Sequence, residues 1–439
     1  MADKDKENNK EPTCKLTMFP ACEGDCFLLE FGTGEDTFRM MIDSGTVGFG
    51  NKRLKEYLND NQFKKDEKMI DLLLITHFDG DHIGGALSLL RTKKYGELIK
   101  EVWHNGLFQI SPDLFGSRYD YGKWWPKGRN GSIHMTSAAG TGVNYPKKFS
   151  IHMGGALGQQ SEKLSIQMEG ASAEQSQCLS KLLKEQQEAQ EKIINGISDG
   201  KAITADLGRT VIEFGSGIEI YVLLPEKKHL PPLLEYFKTK LPTGMKISAA
   251  AAYQECVDEE QDNGCEEESC AADNLDITQM EKWVEQIEKD GWDRDNSKKN
   301  AASIAIIICY NEKKYLFAGD AWGNELSEAL KNWGEVYNQS LYFDVVKLPH
   351  HGSNRNCLDL LSTDGLDGKI FLVSTNGGKH PGKETLAKIV IRPAKETRIL
   401  AFNYEHAMYT LFNNKECQDR YNYRVLLTKE SNGFEVIER

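Results

Sequence analysis

The segment ITHFDGDHIGG, residues 75–85, places two imidazoles and two carboxylates within six positions. His77, Asp79, Asp81 and His82 follow the apolar run MIDLLLITH and precede two glycines. Two carboxylates on one tight loop raise each other's cost of ionisation, and burial raises it further, unless a cation neutralises them. Imidazole nitrogen with carboxylate oxygen suits Zn2+, Mn2+ or Fe2+. The plainer alternative is a polar surface loop. The buried strand expected before it and the glycines after it favour the metal reading.

Three more segments end apolar runs in the same residue types. KKYLFAGDA ends in Asp320, VVKLPHHGSNRN carries His350 and His351, and STNGGKHPG carries His380. Gly-Asp alone is common in turns, and adjacent histidines alone fit a solvated turn. Position speaks for chemistry, because the carboxyl edge of a sheet is where sites assemble in layered α/β folds. His380 has two readings of equal weight, a reactive group or the residue before a first-turn proline of a helix, Pro381. Ser353, Asn354 and Arg355 either contact an anionic substrate or form a solvated loop.

These ligand types need strands to position them. Residues 15–45 read as two or three strands, 50–64 as a helix, 69–77 as a fully buried strand, GGALSLLRTKK as a helix and IKEVWHNG as a short strand. Residues 107–215 are less regular, with a Gly/Ser-rich aromatic stretch at Arg118–Thr141 and a polar helix at about Ala171–Ile197. GIEIYVLLP, 217–225, reads as a buried strand, and ITQMEKWVEQIEKDGW as an amphipathic helix. From 300 onward ASIAIIICY and KKYLFAGDA predict a hairpin around Asn311–Glu312. A helix, two strands, a helix and a strand pair (RILAFNYE, HAMYTLFN) follow. The domain plan is a disordered tail 1–14, a β-rich half 15–106, a helical insertion 107–297 with an acidic loop 257–270, and a second β-rich half 298–439. Strand 217–225 is expected to join the core.

Composition sets outer bounds. The 439 residues are 39% hydrophobic and 27% charged, enough to bury a large core without disulfides. No apolar run approaches the roughly 18 residues of a membrane span, and the first residues lack the apolar core of a signal peptide. A cytoplasmic protein with no membrane partner is expected. The net charge of -12 argues against a non-specific nucleic-acid coat. It leaves room for phosphate chemistry through metal ions. Seven of the negative charges fall between Asp258 and Glu268. The ten cysteines form no C-x-x-C pair. Free thiols in a reducing compartment are favoured over a zinc knuckle, and Cys309 reads as core.

The pattern H-x-D-x-D-H at His77–His82 resembles the metal loop of the metallo-β-lactamase superfamily, normally H-x-H-x-D-H. MIDSG, with Asp43, resembles its early strand motif, Asp320 its bridging aspartate, and His350-His351 its last histidine motif. Asp79 in place of the second histidine, with LFAGDA, LPHHGS and a late H-P, is similar to the ComEC type. That is the nuclease-like domain associated with the bacterial competence DNA-uptake channel, together with its soluble stand-alone relatives. The resemblance covers about residues 15–106 and 298–410. It implies an α/β fold, an αββα sandwich with a helix-rich insertion.

The resemblance also implies two divalent metal ions, Zn2+ or Mn2+. His77 and Asp79 would hold one, Asp81 and His82 the other, and Asp320 would bridge them. His351 is the expected last ligand, with His350 behind it. The superfamily's middle histidine has no clear match, and Asn300, Ser303 and His104 are the candidates. Asp81, Asp43 and His380 are the expected catalytic residues, with Asp43 orienting a ligand or the nucleophile. His380 would protonate the leaving group or bind a phosphate oxygen. The implied reaction is hydrolysis by a water bridging two ions. Three functions follow: a phosphodiesterase or nuclease acting on nucleic acid, another ester, lactone or thioester hydrolase of the same fold, or an effector gated by a protein partner through residues 107–297. Stand-alone relatives are linked to bacterial conflict systems, which adds antiviral defence to the expectations.

Overall fold

The structure, a computed structural model, describes residues 14–107 except 35, residues 192–240 except 215 and 216, residues 278–428, and short pieces at 109–110, 173, 175–180, 182–183, 186–187 and 434–435. The N-terminal tail before Cys14, the Arg118–Thr141 stretch and the acidic loop lie outside the described residues.

Strands form where β-branched and aromatic residues alternate between two faces. The first half supplies β1 (Cys14–Met18), β2 (Phe27–Thr33), β3 (Asp36–Ile42), β4 (Ile70–Leu74) and β5 (Ile99–Trp103). Next come β6 (Ile193–Ile194), β7 (Arg209–Ile212) and β8 (Ile218–Leu224). The second half supplies β9 (Ala305–Tyr310), β10 (Lys313–Phe317), β11 (Tyr342–Lys347), β12 (Asp367–Val373), β13 (Arg398–Phe402), β14 (Tyr423–Leu427) and β15 (Phe434–Glu435). Among the described residues one sheet has the order β15-β1-β2-β3-β4-β5-β6 and the other β14-β13-β12-β11-β10-β9-β8-β7.

The two sheets face each other across an apolar layer that includes Phe27, Phe31, Leu72, Leu74, Ile306, Tyr315, Phe317 and Leu372. Phe27 meets Phe317 at 5.4 Å and Phe31 meets Tyr310 at 5.2 Å between ring centroids. The alternate residues point outward. Leu73 and Ile75 join a core under helices α1 (Gly80–Leu90) and α2 (Leu230–Lys240). Ile307, Leu316 and Phe371 join another under α3 (Gln279–Asp290), α4 (Gly323–Tyr337), α5 (Asn354–Leu361) and α6 (Lys383–Val390). The architecture is therefore the expected αββα sandwich. No helix of the described residues is long and apolar enough to cross a membrane.

Several expectations change. His77–His82 is not one tight loop: Asp79 is extended, while Asp81 and His82 sit in the first turn of α1. Besides β8, residues 192–240 supply the unexpected β6 to one sheet and β7 to the other. The polar helix expected to Ile197 gives way to β6, which pairs with β5, and Leu179 and Leu183 are buried. HAMYTLFN is a helix, Ala407–Phe412, because His406 Nδ1 accepts the Met408 N–H (3.2 Å) and Phe412 is buried. The partner of β13 is instead β14, in parallel. Cys309 is half-buried, and the cysteines among the described residues are free thiols.

Strand direction positions the site. β3, β4 and β5 run parallel, as do β10 through β13. Their carboxyl ends share one edge, where Asp43, His77, Asp320 and His351 follow. The antiparallel partners β2 and β9 begin at that same edge, since Phe27 pairs with Ile42 and Ile306 with Phe317. Residues just before β2 and β9 therefore also reach the site.

The two glycines of HIGG let α1 press against the exit of β3. Ser44 N–H and Oγ both donate to the His82 carbonyl, at 2.9 and 2.8 Å. A Cβ on Gly85 would lie 2.0 Å from the Ser44 carbonyl oxygen, a backbone atom that cannot step aside. Gly85→Ala is therefore expected to cost about 1–3 kcal/mol through overpacking, read as a lower urea midpoint. A midpoint equal to wild type would contradict this close approach.

Candidate metal centre

Asp43 is the hub from which the site is built. Its Oδ1 accepts the Thr76 N–H at 2.8 Å, and its Oδ2 accepts the Thr76 hydroxyl at 2.7 Å. His82 Nδ1 lies 2.8 Å from the same Oδ2. A carboxylate only accepts, so His82 carries its proton on Nδ1 and turns Nε2 inward. Thr76 Oγ1, having donated its proton to Asp43, accepts from His77 Nδ1 at 3.1 Å. One buried carboxylate thus orients both imidazoles. The second pair is held in the same way. His351 Nδ1 donates to the Ser374 carbonyl (2.9 Å), and His350 Nδ1 to Asn356 Oδ1 (3.0 Å).

All four Nε2 atoms then face Asp320. Its Oδ1 is 3.5 Å from His82 Nε2, and its Oδ2 is 3.7 Å from His77 Nε2, 3.8 Å from His350 Nε2 and 3.9 Å from His351 Nε2. Asp81 Oδ2 lies 3.3 Å from His351 Nε2 and 3.8 Å from His82 Nε2. Asp79 Oδ2 lies 3.8 Å from His77 Nε2. Two pockets share Asp320. One is lined by Asp81, His82 and His351, the other by His77 and Asp79, with His82 bordering both and His350 reaching Asp320 Oδ2.

A divalent ion fits this donor set. Among the described residues, Nε2 of His77, His82 and His351 and Oδ1 of Asp320 are buried with no hydrogen-bond partner. Unpaired buried polar atoms are costly, and divalent cations bound among them would satisfy them. Ligand atoms of His77, His82 and Asp320, and of Asp81, His82 and His351, fall within 4.8 Å of one another.

The electrostatics agree. Burial alone would lower the pKa of His82 and His351, yet the carboxylates of Asp320, Asp43 and Asp81 push His82 well up, and Asp320 and Asp25 push His351 up to about 10. Burial would raise Asp320, but the surrounding imidazoles hold it well below the usual carboxylate range. Protons take up a positive charge that the site demands. His77, by contrast, is lowered by burial and by the neighbouring His82.

Not every sequence candidate comes to the centre. His104 is buried beside Asn195, which accepts its backbone N–H at 2.7 Å, and burial holds it neutral down to about 3. Asn300 donates its amide to Asp295 (2.7 Å), and the Ser303 hydroxyl accepts the Asp320 N–H (3.3 Å). His350 and His351 both adopt positive φ, 47° and 55°, which splays the two rings apart. The His380 ring lies tilted against that of His350 at 4.9 Å and stacked towards that of His351 at 6.4 Å. Ser353 caps α5 and Asn354 Oδ1 accepts from Thr385, so neither lies in a solvated loop.

Sequence reasoning missed Asp25, Lys347 and Lys299. Lys347, the last residue of β11, is fully buried, bonds Asp25 Oδ2, donates to the Gly319 carbonyl (3.1 Å) and lies 3.8 Å from Asp320 Oδ1. Burial would raise Asp25, but Lys347 and His351 hold it down at about 2. A charged residue closing the apolar run VVK was the one available signal for Lys347.

The family model of the Metallo-beta-lactamase superfamily matches residues 20–144. The match contains Asp25, Asp43 and the whole His77–His82 group, and it ends before Asp320, His350 and His351. No curated protein matches the chain. Members of that superfamily are, in general, metal-dependent hydrolases, and the clustered ligands agree with that chemistry.

Two predictions follow from the wiring. Asp43→Asn keeps the shape but replaces an acceptor of the His82 proton, so affinity for Zn2+ or Mn2+ should fall about 10–100-fold, measured by calorimetric titration. Unchanged affinity would remove Asp43 from the centre. The raised His351 means that, below about pH 10, a divalent ion must displace a proton. Affinity should therefore climb as pH rises between about 6 and 9, with proton release detected by comparing buffers of different ionisation enthalpy. Affinity flat across that range would contradict the assignment.

Proposed function

We propose that the chain is a metal-dependent phosphodiesterase of the ComEC type, acting on nucleic acid with Zn2+ or Mn2+. The observation that carries this reading is the convergence of Asp81, His82, His351 and the shared Asp320 on one buried pocket. Asp79 at the position of the usual histidine, with LFAGDA, LPHHGS and the late His380-Pro381, supports the ComEC-type assignment.

A divalent ion bound here supplies a Lewis acid for a non-bridging oxygen and lowers the cost of deprotonating the attacking water. The chain's own residues do the rest. Asp81, His82, His351 and Asp320 would hold the ion, while Asp43 fixes the His82 and His77 rings through Nδ1. The Lys347–Asp25 pair braces the floor behind Asp320. His380 is held neutral down to about 4 by burial and by the adjacent His350 and His351. At neutral pH it therefore serves as a hydrogen-bond partner for a phosphate oxygen rather than as a proton donor to the leaving group. The resemblance would put an ion in each of the two pockets.

Incubation with single- and double-stranded DNA, RNA and a small phosphodiester in the presence of Mn2+ or Zn2+ tests the proposal. Cleavage is expected, abolished by chelation and reduced more than about 100-fold by Asp81→Ala and by Asp320→Ala, since even supporting residues of metal sites cost 10–100-fold. Turnover of esters or lactones alone would reassign the substrate class, and metal binding without any turnover would point to an effector awaiting a partner.

A further inference from the structure

The pocket lined by His77 and Asp79 already contains a cation. Lys299 belongs to the short helix Lys298–Ala301 ahead of β9 and sets its Nζ 2.5 Å from Asp79 Oδ1. The other oxygen of that carboxylate is the one facing His77 Nε2 at 3.8 Å. The Lys299 side chain is 14% exposed, so this is not a solvated surface pair.

Its position is built. Ser297 caps the short helix by accepting the Asn300 N–H (3.4 Å). Asp295 accepts from the Ser297 N–H (2.9 Å), from Asn300 Nδ2 (2.7 Å) and from Asn356 Nδ2 (2.9 Å). Asn356 also holds His350 through Nδ1 and donates to the Asp320 and Ala321 carbonyls at 3.1 and 3.2 Å. The turn that presents the ammonium therefore also braces a histidine of the centre.

The two pockets are consequently unequal. In the Asp81 pocket the carboxylate of Asp81 faces His82 and His351, while Lys347 pairs with Asp25 and lies 3.8 Å from Asp320 Oδ1. In the Asp79 pocket one of the ligand carboxylates is already neutralised. The cluster is otherwise acidic: Asp25, Asp43, Asp79, Asp81, Asp295 and Asp320 meet two ammonium groups, Lys299 and Lys347, and Lys299 is the one paired with the carboxylate beside His77.

We propose that Lys299 restricts the centre to one tightly held divalent ion, in the Asp81–His82–His351–Asp320 pocket, and that its ammonium takes the electrostatic place of an ion beside His77 and Asp79. This rests on reading the cluster as a metal centre, and it departs from the two equivalent ions that the resemblance implies. Lys299 is a positioning residue here, acting through Asp79.

Metal-free full-length protein is titrated with Mn2+ and with Zn2+, and bound metal is counted by mass spectrometry after desalting. Wild type should retain one ion per chain, with any second ion bound at least about tenfold more weakly. Lys299→Gln and Lys299→Met, each checked for native circular dichroism, should retain two. With Mn2+ they should show the electron paramagnetic resonance of a spin-coupled pair, absent from wild type. Lys299→Arg should keep the wild-type count. Two tight ions in wild type, or no gain of a second ion in either neutral variant, would overturn the proposal. Wild type that binds no ion at all would defeat the metal centre itself, a result distinct from either.

Discussion

Asp25, Asp43 and Asp320 are almost wholly buried, and Asp79 and Asp81 stand against them at the mouth of the same site. Carboxylates do not gather out of water without positive charge to hold them. That constraint explains most of what surrounds them. Lys347 is buried at the end of β11 because Asp25 needs it. His82 and His351 bind protons far more readily than ordinary histidines because Asp320 lies beside them. Thr76 spends both its N–H and its hydroxyl on Asp43. What these groups leave uncompensated are the inward-facing Nε2 atoms and one oxygen of Asp320, and a divalent ion has the charge and donor preference to complete them.

The fold supplies the geometry at low local strain. Parallel strands in each sheet end on one edge, and the two sheets pack so that those edges meet. Four ligand-bearing turns from distant parts of the chain are brought within a few ångströms by strand direction alone. Antiparallel β2 and β9 add the residues that precede them, which is how Asp25 and Lys299 arrive. Positive φ at Asp43, His350 and His351 is the local exception, and at the histidines it separates two adjacent imidazoles.

Much of this was legible in the sequence, for identifiable reasons. His77, Asp79, Asp81 and His82 are close in sequence and follow a strand whose apolar run admits few other readings. Asp320 and His351 each end a run of the same kind. The sandwich follows from strand-rich segments at both ends. Other features depend on pairing that composition does not encode. β6 and β7 joined the two sheets from within the expected insertion, and HAMYTLFN became a helix because a histidine caps it. Asp25 lies in a short turn between cysteines that carries no ligand pattern. Lys299 is one lysine of a Lys-Lys pair, and only the register of β9 against β10 shows that it faces Asp79. His350 was expected behind His351 because the last histidine of the motif it resembles is followed by glycine, and here both Nε2 atoms face Asp320.

The central claim is that this buried group of carboxylates and imidazoles exists to hold a divalent ion. Anomalous diffraction at the zinc or manganese edge, from crystals of protein purified without chelator, addresses it most directly. The account predicts an anomalous peak within bonding distance of His82 Nε2, His351 Nε2 and the carboxylates of Asp81 and Asp320. A well-ordered centre with no peak there, even after soaking with Zn2+ and Mn2+, would contradict it.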